Sequence, residues 1–159
     1  MKRVIALLME NQPGALSRVV GLFSQRGYNI ESLIVAPTED PSLSRLTMTT
    51  HGDSEVVEQI TKQLNKLIDV VKVLDLSLEE YVGRELLLIK MEFSEKAEAE
   101  VSNLGGQVLF KDGNLLNVEF VGTSEELDEI VTLLDKLNPL EVVRTGLSGI
   151  SSTAKTLTI

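Results

Sequence analysis

Hydrophobic and polar positions along the chain follow two periods, and the places where one gives way to the other mark its elements. Lys2 to Glu10 is almost continuously aliphatic and rich in strand-forming residues, which predicts a central strand covered on both faces. Asn11-Gln12-Pro13-Gly14 then signals a turn. From Ala15 to Gln25 the period becomes helical, with Leu16, Val19, Val20 and Phe23 on one face, and Gly27 is placed to end that helix. Tyr28 to Ala36 and Leu43 to His51 read as strands. The Pro37 to Ser42 link between them carries two prolines and cannot lie inside a strand. Asp53 is a good N-cap for a second helix reaching about Leu67, with Val57, Ile60, Leu64 and Leu67 inward, and Val70 to Leu76 supplies a fourth strand.

The same order then recurs. Glu85 to Phe93 reads as a strand and Ser94 to Leu104 as a short helix broken by Gly105-Gly106. Gln107 to Lys111 and Leu115 to Val121 form a hairpin around Asp112-Gly113-Asn114. Thr123-Ser124-Glu125-Glu126 is a capping box opening a helix with Leu127, Ile130, Leu134 and Leu137 on one face, and Leu140 to Thr145 closes the repeat. Two copies of β-α-β-β-α-β predict an α+β protein of two ferredoxin-like βαββαβ repeats. The expected division is residues 1–78, a linker at 79–83, and a second domain at 84–159. The Ser- and Thr-rich tail after Gly146 has no period and reads as partly mobile.

Charge narrows the choice of partners. The net charge of −9 is uneven: residues 1–79 hold 8 basic and 10 acidic side chains, residues 80–159 hold 7 and 14. An acidic second half disfavours nucleic acid and anionic membrane, which need clustered Lys and Arg, and otherwise reads as a solvated face. RNA-recognition motifs share this strand order but stack bases on strand aromatics, and the third strand has none. No cysteine is present, so disulfides and thiolate chemistry are excluded. No apolar run approaches a membrane span, and Val4 to Met9 is too short for a signal peptide, so the expectation is a cytoplasmic protein.

Enzyme chemistry finds little to work with. His51 is the only histidine, so a histidine ligand pair cannot form, and beside Asp53 it reads as a strand-end residue rather than a metal ligand. There is no nucleophile elbow and no glycine-rich phosphate fingerprint. An acylphosphatase-like hydrolase on the same fold is conceivable but has no residues to recommend it. What remains is the turn Asn11 to Leu16, at the N-terminus of a helix, where free backbone N–H groups and the helix dipole suit a carboxylate. Asn11 can donate and accept, Gly14 permits close approach, and Asn29-Ile30 offers another amide beside an apolar side chain. Together these describe a site for a small apolar α-amino acid. An ordinary Pro-Gly turn accounts for the same residues equally well.

Asn11-Gln12-Pro13-Gly14-Ala15-Leu16 also resembles the ligand loop of ACT domains, βαββαβ amino-acid sensors of biosynthetic enzymes. Gly14 to Val19, then Gly21-Leu22-Phe23-Ser24-Gln25-Arg26-Gly27-Tyr28-Asn29-Ile30-Glu31-Ser32-Leu33, more specifically resembles the small regulatory subunits of acetohydroxyacid (acetolactate) synthase. Val35-Ala36-Pro37-Thr38 and Ser44-Arg45-Leu46-Thr47 extend the likeness over most of residues 1–78, and Val143-Arg144-Thr145-Gly146 is the best match beyond residue 84. The resemblance implies an N-terminal ACT domain for effector binding and dimerisation, followed by an ACT-like domain.

The function it implies is regulatory, with no catalytic residues in this chain. The subunit would activate a thiamine-diphosphate-dependent catalytic subunit and confer feedback inhibition by valine, leucine or isoleucine. Thiamine diphosphate, Mg and FAD would sit on that partner and none on this chain. By the same resemblance the effector lies between two ACT domains of a homodimer. The backbone of Gly14, Ala15 and Leu16 would hold its carboxylate, Asn11 and Asn29 its polar groups, and Ile30 its apolar side. Phe93-Ser94-Glu95-Lys96 replaces the loop in the second repeat, so no second effector site is expected, and the tail lacks the Arg usual near the end of the family. A free-standing ACT sensor acting on some other enzyme or regulator is the alternative.

Overall fold

The computed structural model describes all of residues 1–159 and separates them into two compact units, Met1–Gly83 with Leu147–Ile159, and Arg84–Gly146. In the first unit β1 (Lys2–Glu10), β2 (Ile30–Pro37), β3 (Leu43–His51) and β4 (Val70–Asp75) form an antiparallel sheet in the order β2-β3-β1-β4. The expected central strand is therefore β1, and both of its faces are buried. Ile5, Leu7 and Met9 pack beneath α1 (Ala15–Gln25) and α2 (Ser54–Leu64), joined by Val19, Phe23, Val57 and Ile60. Asp53 caps α2 as expected, its side chain accepting from Val56 N at 2.9 Å. That helix stops at Leu64 rather than Leu67, because the chain turns at Asn65 while Leu67 still packs against the core.

The other face of β1 corrects the expected division of the chain. Val4, Ala6 and Leu8 are covered by Leu43, by Leu76 of the 3₁₀ turn Leu76–Leu78, and by Leu147 and Leu157 of the tail. Residues 147–159 thus belong with the first unit and not with the second, and they are not a loose end. Ser148–Ser151 forms a strand, β9, which pairs with β5 (Tyr81–Glu92), whose residues Tyr81–Gly83 lie in this same unit. Arg45 Nη2 donates to Gly149 O at 2.7 Å, and Ser152 N and Oγ both donate to Glu80 O. The physical cause is the composition of β1: a strand apolar on both faces needs two covers, and the helices supply only one.

The second unit repeats the layout with β6 (Gln107–Asp112), β7 (Leu115–Gly122) and β8 (Glu141–Arg144) in the order β6-β7-β5-β8. Its core is one-sided. Leu87, Ile89 and Met91 of β5 and Leu116, Val118 and Phe120 of β7 are buried with Val101 of α3 (Glu95–Asn103) and with Leu127 and Leu134 of α4 (Ser124–Leu134). Ser94 caps α3, and Thr123 with Glu126 forms the expected capping box on α4. Buried Glu85 accepts from Ser124 Oγ, from Arg144 Nη2 at 2.7 Å and from Arg144 Nε at 3.0 Å, so the conspicuous Arg144 has a structural task. The double glycine after α3 also has a cause: a Cβ at Gly106 would lie 2.5 Å from two ring carbons of Phe120.

Candidate functional site

The turn Asn11 to Leu16 enters α1 without a side-chain cap and with no acidic residue in the first turn. Gly14 holds φ 87° and ψ −16°, a left-handed conformation that glycine adopts without steric cost. Ala15 N donates back to Gln12 O at 3.2 Å and Arg18 N to Gly14 O at 3.0 Å. The amides of Leu16 and Ser17 between them have no partner in the chain. Two unsatisfied donors, the positive end of an 11-residue helix and the absence of a nearby acid make this end receptive to a carboxylate. Asn11 is tied down by its backbone N–H to Ser42 O at 2.7 Å and its Nδ2 to Pro41 O at 3.0 Å, which leaves its side-chain oxygen free to accept.

A pair that the sequence reading did not single out braces this loop. Arg18 reaches Asp69 with two parallel hydrogen bonds, Nε to Oδ2 and Nη2 to Oδ1, the second at 2.9 Å. Asp69 is buried, and its own carbonyl accepts from Glu10 N at 2.8 Å, so one residue ties the end of β1 to the first turn of α1. The hydrogen bond from Arg18 holds the Asp69 carboxyl below its usual range, and the same bond raises the Arg18 guanidinium. The only signal in the sequence was an acid placed among Leu67, Ile68, Val70 and Val71.

Asn29 and Ile30 stand apart from the loop. Ile30 pairs with Thr50, which pairs with Arg3 at the start of β1, whereas Asn11 follows Glu10, which pairs with Leu43. The two groups lie at opposite ends of the sheet, about 24 Å apart at the usual rise of an extended chain. Asn29 precedes β2 rather than belonging to it, and its carbonyl accepts from Thr50 Oγ1 at 2.6 Å. One copy of the chain therefore does not bring the six predicted residues together. Ala15 is buried and faces the core, and its backbone N–H is already given to Gln12 O, so among the three expected amides that of Ala15 is taken and that of Leu16 stands open; Leu16 and Ile30 are half-buried. His51 ends β3 with Nδ1 2.6 Å from Glu31, at a bulge in the pairing of β2 with β3. No helix is long and apolar enough to cross a membrane.

Residues 5–72 match the AHAS small subunit-like ACT domain, and residues 84–153 match the family described as small subunit of acetolactate synthase. The acetolactate synthase isozyme 3 small subunit of Salmonella typhimurium is 48% identical over 156 residues, covering 95% of this chain and 96% of that one. The corresponding Escherichia coli protein is 47% identical, again covering 95% and 96%. A crystal structure of the small subunit from Thermotoga maritima superposes with a TM-score of 0.88 at 31% identity, covering 98% of this chain and 99% of that one. The chain belongs to the acetolactate synthase small-subunit family, with an ACT domain in its N-terminal half.

Proposed function

We propose that this chain is the regulatory subunit of an acetohydroxyacid synthase, working in the cytoplasm in branched-chain amino-acid biosynthesis. It binds a thiamine-diphosphate-dependent catalytic subunit, raises its activity and confers feedback inhibition by valine or a related amino acid. Thiamine diphosphate, Mg and FAD belong to that partner. Membership of the small-subunit family supports the partner, and the open N-terminus of α1 supports the sensor.

The observation that carries the sensor reading is the separation of Asn11–Leu16 from Asn29–Ile30. β2 is an edge strand with nothing paired on its outer side. Pairing it antiparallel with β2 of a second copy sets the start of one β2 beside the end of the other. That end is level with the loop, since Pro37 and Met9 both pair with Ser44. The homodimer then assembles what the single chain keeps apart: amides and Asn11 from one copy, Asn29 and Ile30 from its neighbour. Effector bound there favours the arrangement of the dimer that it bridges, and it shifts the catalytic partner by its difference in affinity for two states, about 1–3 kcal/mol.

The test is acetolactate formation by the cognate catalytic subunit, with and without this chain, across a valine titration. Activation by the chain with inhibition by valine is the expected result, and leucine and isoleucine are run in parallel to identify the effector. No change in rate at saturating chain overturns the proposal and favours a free-standing sensor.

A further inference from the structure

Arg3 is the side chain of the first unit whose charge is least accounted for. It is 7% exposed, yet its one hydrogen bond is Nη2 to Ser54 Oγ at 2.8 Å, and it forms no ion pair. Its Nε is sealed from solvent with no acceptor, which leaves Nη1 as the donor a ligand can reach. Burying a guanidinium against a lone hydroxyl is expensive, because a five-donor cation gives up its water for one neutral acceptor. The neighbourhood adds to the cost, since Ser54 is the first residue of α2 and the positive end of a helix repels a cation. Asp53, which caps the same helix through Val56 N, is not in ion-pair contact with Arg3.

Arg3 lines a cavity of about 500 Å³ between α2, β4 and the tail. Val73, Leu74 and Leu78 give it an apolar wall. The three carboxylates at its margin have donors of their own. Glu58 pairs with Lys62 at 2.5 Å, Glu79 pairs with Lys155 at 2.5 Å and accepts from Thr153 at 2.7 Å, and Asp75 accepts from Ser77 N at 2.9 Å. Asp75 shares a face of the sheet with Arg3, since it pairs with Ile5, but it is not in ion-pair contact with it. The two lysines have ion-pair partners and the three acids have hydrogen-bond donors, and one buried cation without an ion pair is left lining a half-open cleft with an aliphatic wall.

From this we infer that the cavity is a binding site for a small aliphatic carboxylate, with the carboxylate on Arg3 and the hydrocarbon against Val73, Leu74 and Leu78. Its volume lies in the range of small-molecule sites and is ample for a branched aliphatic acid. Every residue involved comes from one copy of the first unit, so the site is separate from the effector loop and does not depend on dimerisation.

The experiment is a titration of the full-length chain with isovalerate, followed by the ¹⁵N–¹H resonance of Arg3 Nε and by the methyl resonances of Val73, Leu74 and Leu78. Saturable shifts at all four residues are expected, and Arg3→Gln should weaken binding about ten- to hundredfold, the cost of a charged hydrogen bond. Because Arg3→Gln alters a buried residue, Leu78→Glu at a position 73% exposed provides the second variant. It places a carboxylate at the cavity and should abolish the shifts with the fold intact. Equal binding of the neutral isovaleramide would overturn the role of Arg3, and equal binding of acetate would overturn the aliphatic wall. No shift up to about 10 mM, well above the ~1 mM scale of weak binding, also rejects the site. If Arg3→Gln instead loses association with the catalytic subunit while isovalerate has no effect, the cavity receives an acidic side chain of that partner and the small-molecule assignment is wrong.

Discussion

Replacing Gly14 and Gly21 by alanine makes the same chemical change at two places, one just before α1 and one inside it, and the structure assigns the two changes opposite signs. At Gly14 the backbone sits at φ 87°, where an L-residue costs about 1–2 kcal/mol. The unfolded chain loses some freedom when glycine becomes alanine, which returns about 0.4–1 kcal/mol. The new Cβ would also stand 3.0 Å from Arg18 Nη1, a flexible tip that can move only by loosening its grip on Asp69. The sum is a destabilisation of about 1 kcal/mol. At Gly21 a Cβ meets nothing within 4 Å, the backbone is helical, and alanine gains about 0.8–1 kcal/mol of helix propensity. The two variants should therefore differ by about 2 kcal/mol. The chain has no tryptophan, and its two tyrosines, Tyr28 and Tyr81, both lie in the first unit, so urea unfolding followed by tyrosine fluorescence reports on that unit alone. Equal midpoints for the two variants, or a more stable Gly14→Ala, would refute the assignment of Gly14 to a strained turn.

Asn11→Ala and Gly14→Asp should each abolish the valine response while leaving activation of the catalytic subunit in place, and a full response in either variant, measured as acetolactate formation, removes those residues from the effector site. The carboxyl of Asp69 is held low in the folded chain, so the stability it contributes is complete above the ordinary carboxylate range near ~4 and is lost as pH falls through the lowered value. Asp69→Asn should therefore flatten the acid limb of the stability curve in urea melts taken at successive pH values, and an unchanged limb would show that the Arg18 pair contributes nothing there. Ending the chain after Gly146 uncovers Val4, Ala6 and Leu8 and removes Leu147 and Leu157, 4% and 6% exposed, which should cost about 3–6 kcal/mol by the burial of two leucines, read as a shift of the tyrosine transition. Gly106→Ala overpacks a position flanked by the ring of Phe120 and, at 2.8 Å, by Val101 Cγ1, and should destabilise the second unit by about 1–3 kcal/mol in far-UV circular dichroism melts.

The elements that pattern alone revealed are those whose cause is local. Apolar residues at both parities of Lys2–Glu10 marked a doubly covered strand, and Asp53 and Thr123 stood where helices need caps. The turn at Asn11–Leu16 was legible for the same reason, since an open helix start follows from its own residues. What stayed hidden depends on pairing across the chain. Arg18 and Asp69 are 51 residues apart, and neither composition nor period connects them. The distance between Asn11 and Asn29 needs the register of three strands before it can be read. The tail was misjudged because its few apolar residues, among them Leu147 and Leu157, have no period of their own and match only the surface that β1 leaves uncovered.

That return of the tail has a consequence for synthesis. The first unit is discontinuous in sequence, with the whole of Arg84–Gly146 inserted between its two pieces. A nascent chain folds from its N-terminus, and the second unit is contiguous, so it can complete itself as soon as it emerges. The first unit, although translated first, must wait with Val4, Ala6 and Leu8 uncovered until Leu147–Ile159 leave the ribosome. In the interval it displays an aliphatic sheet face and an unpaired edge, the features that recruit chaperones or a second nascent copy. The unit begun first is the unit finished later, and a chain stopped before Leu147 leaves that sheet face open.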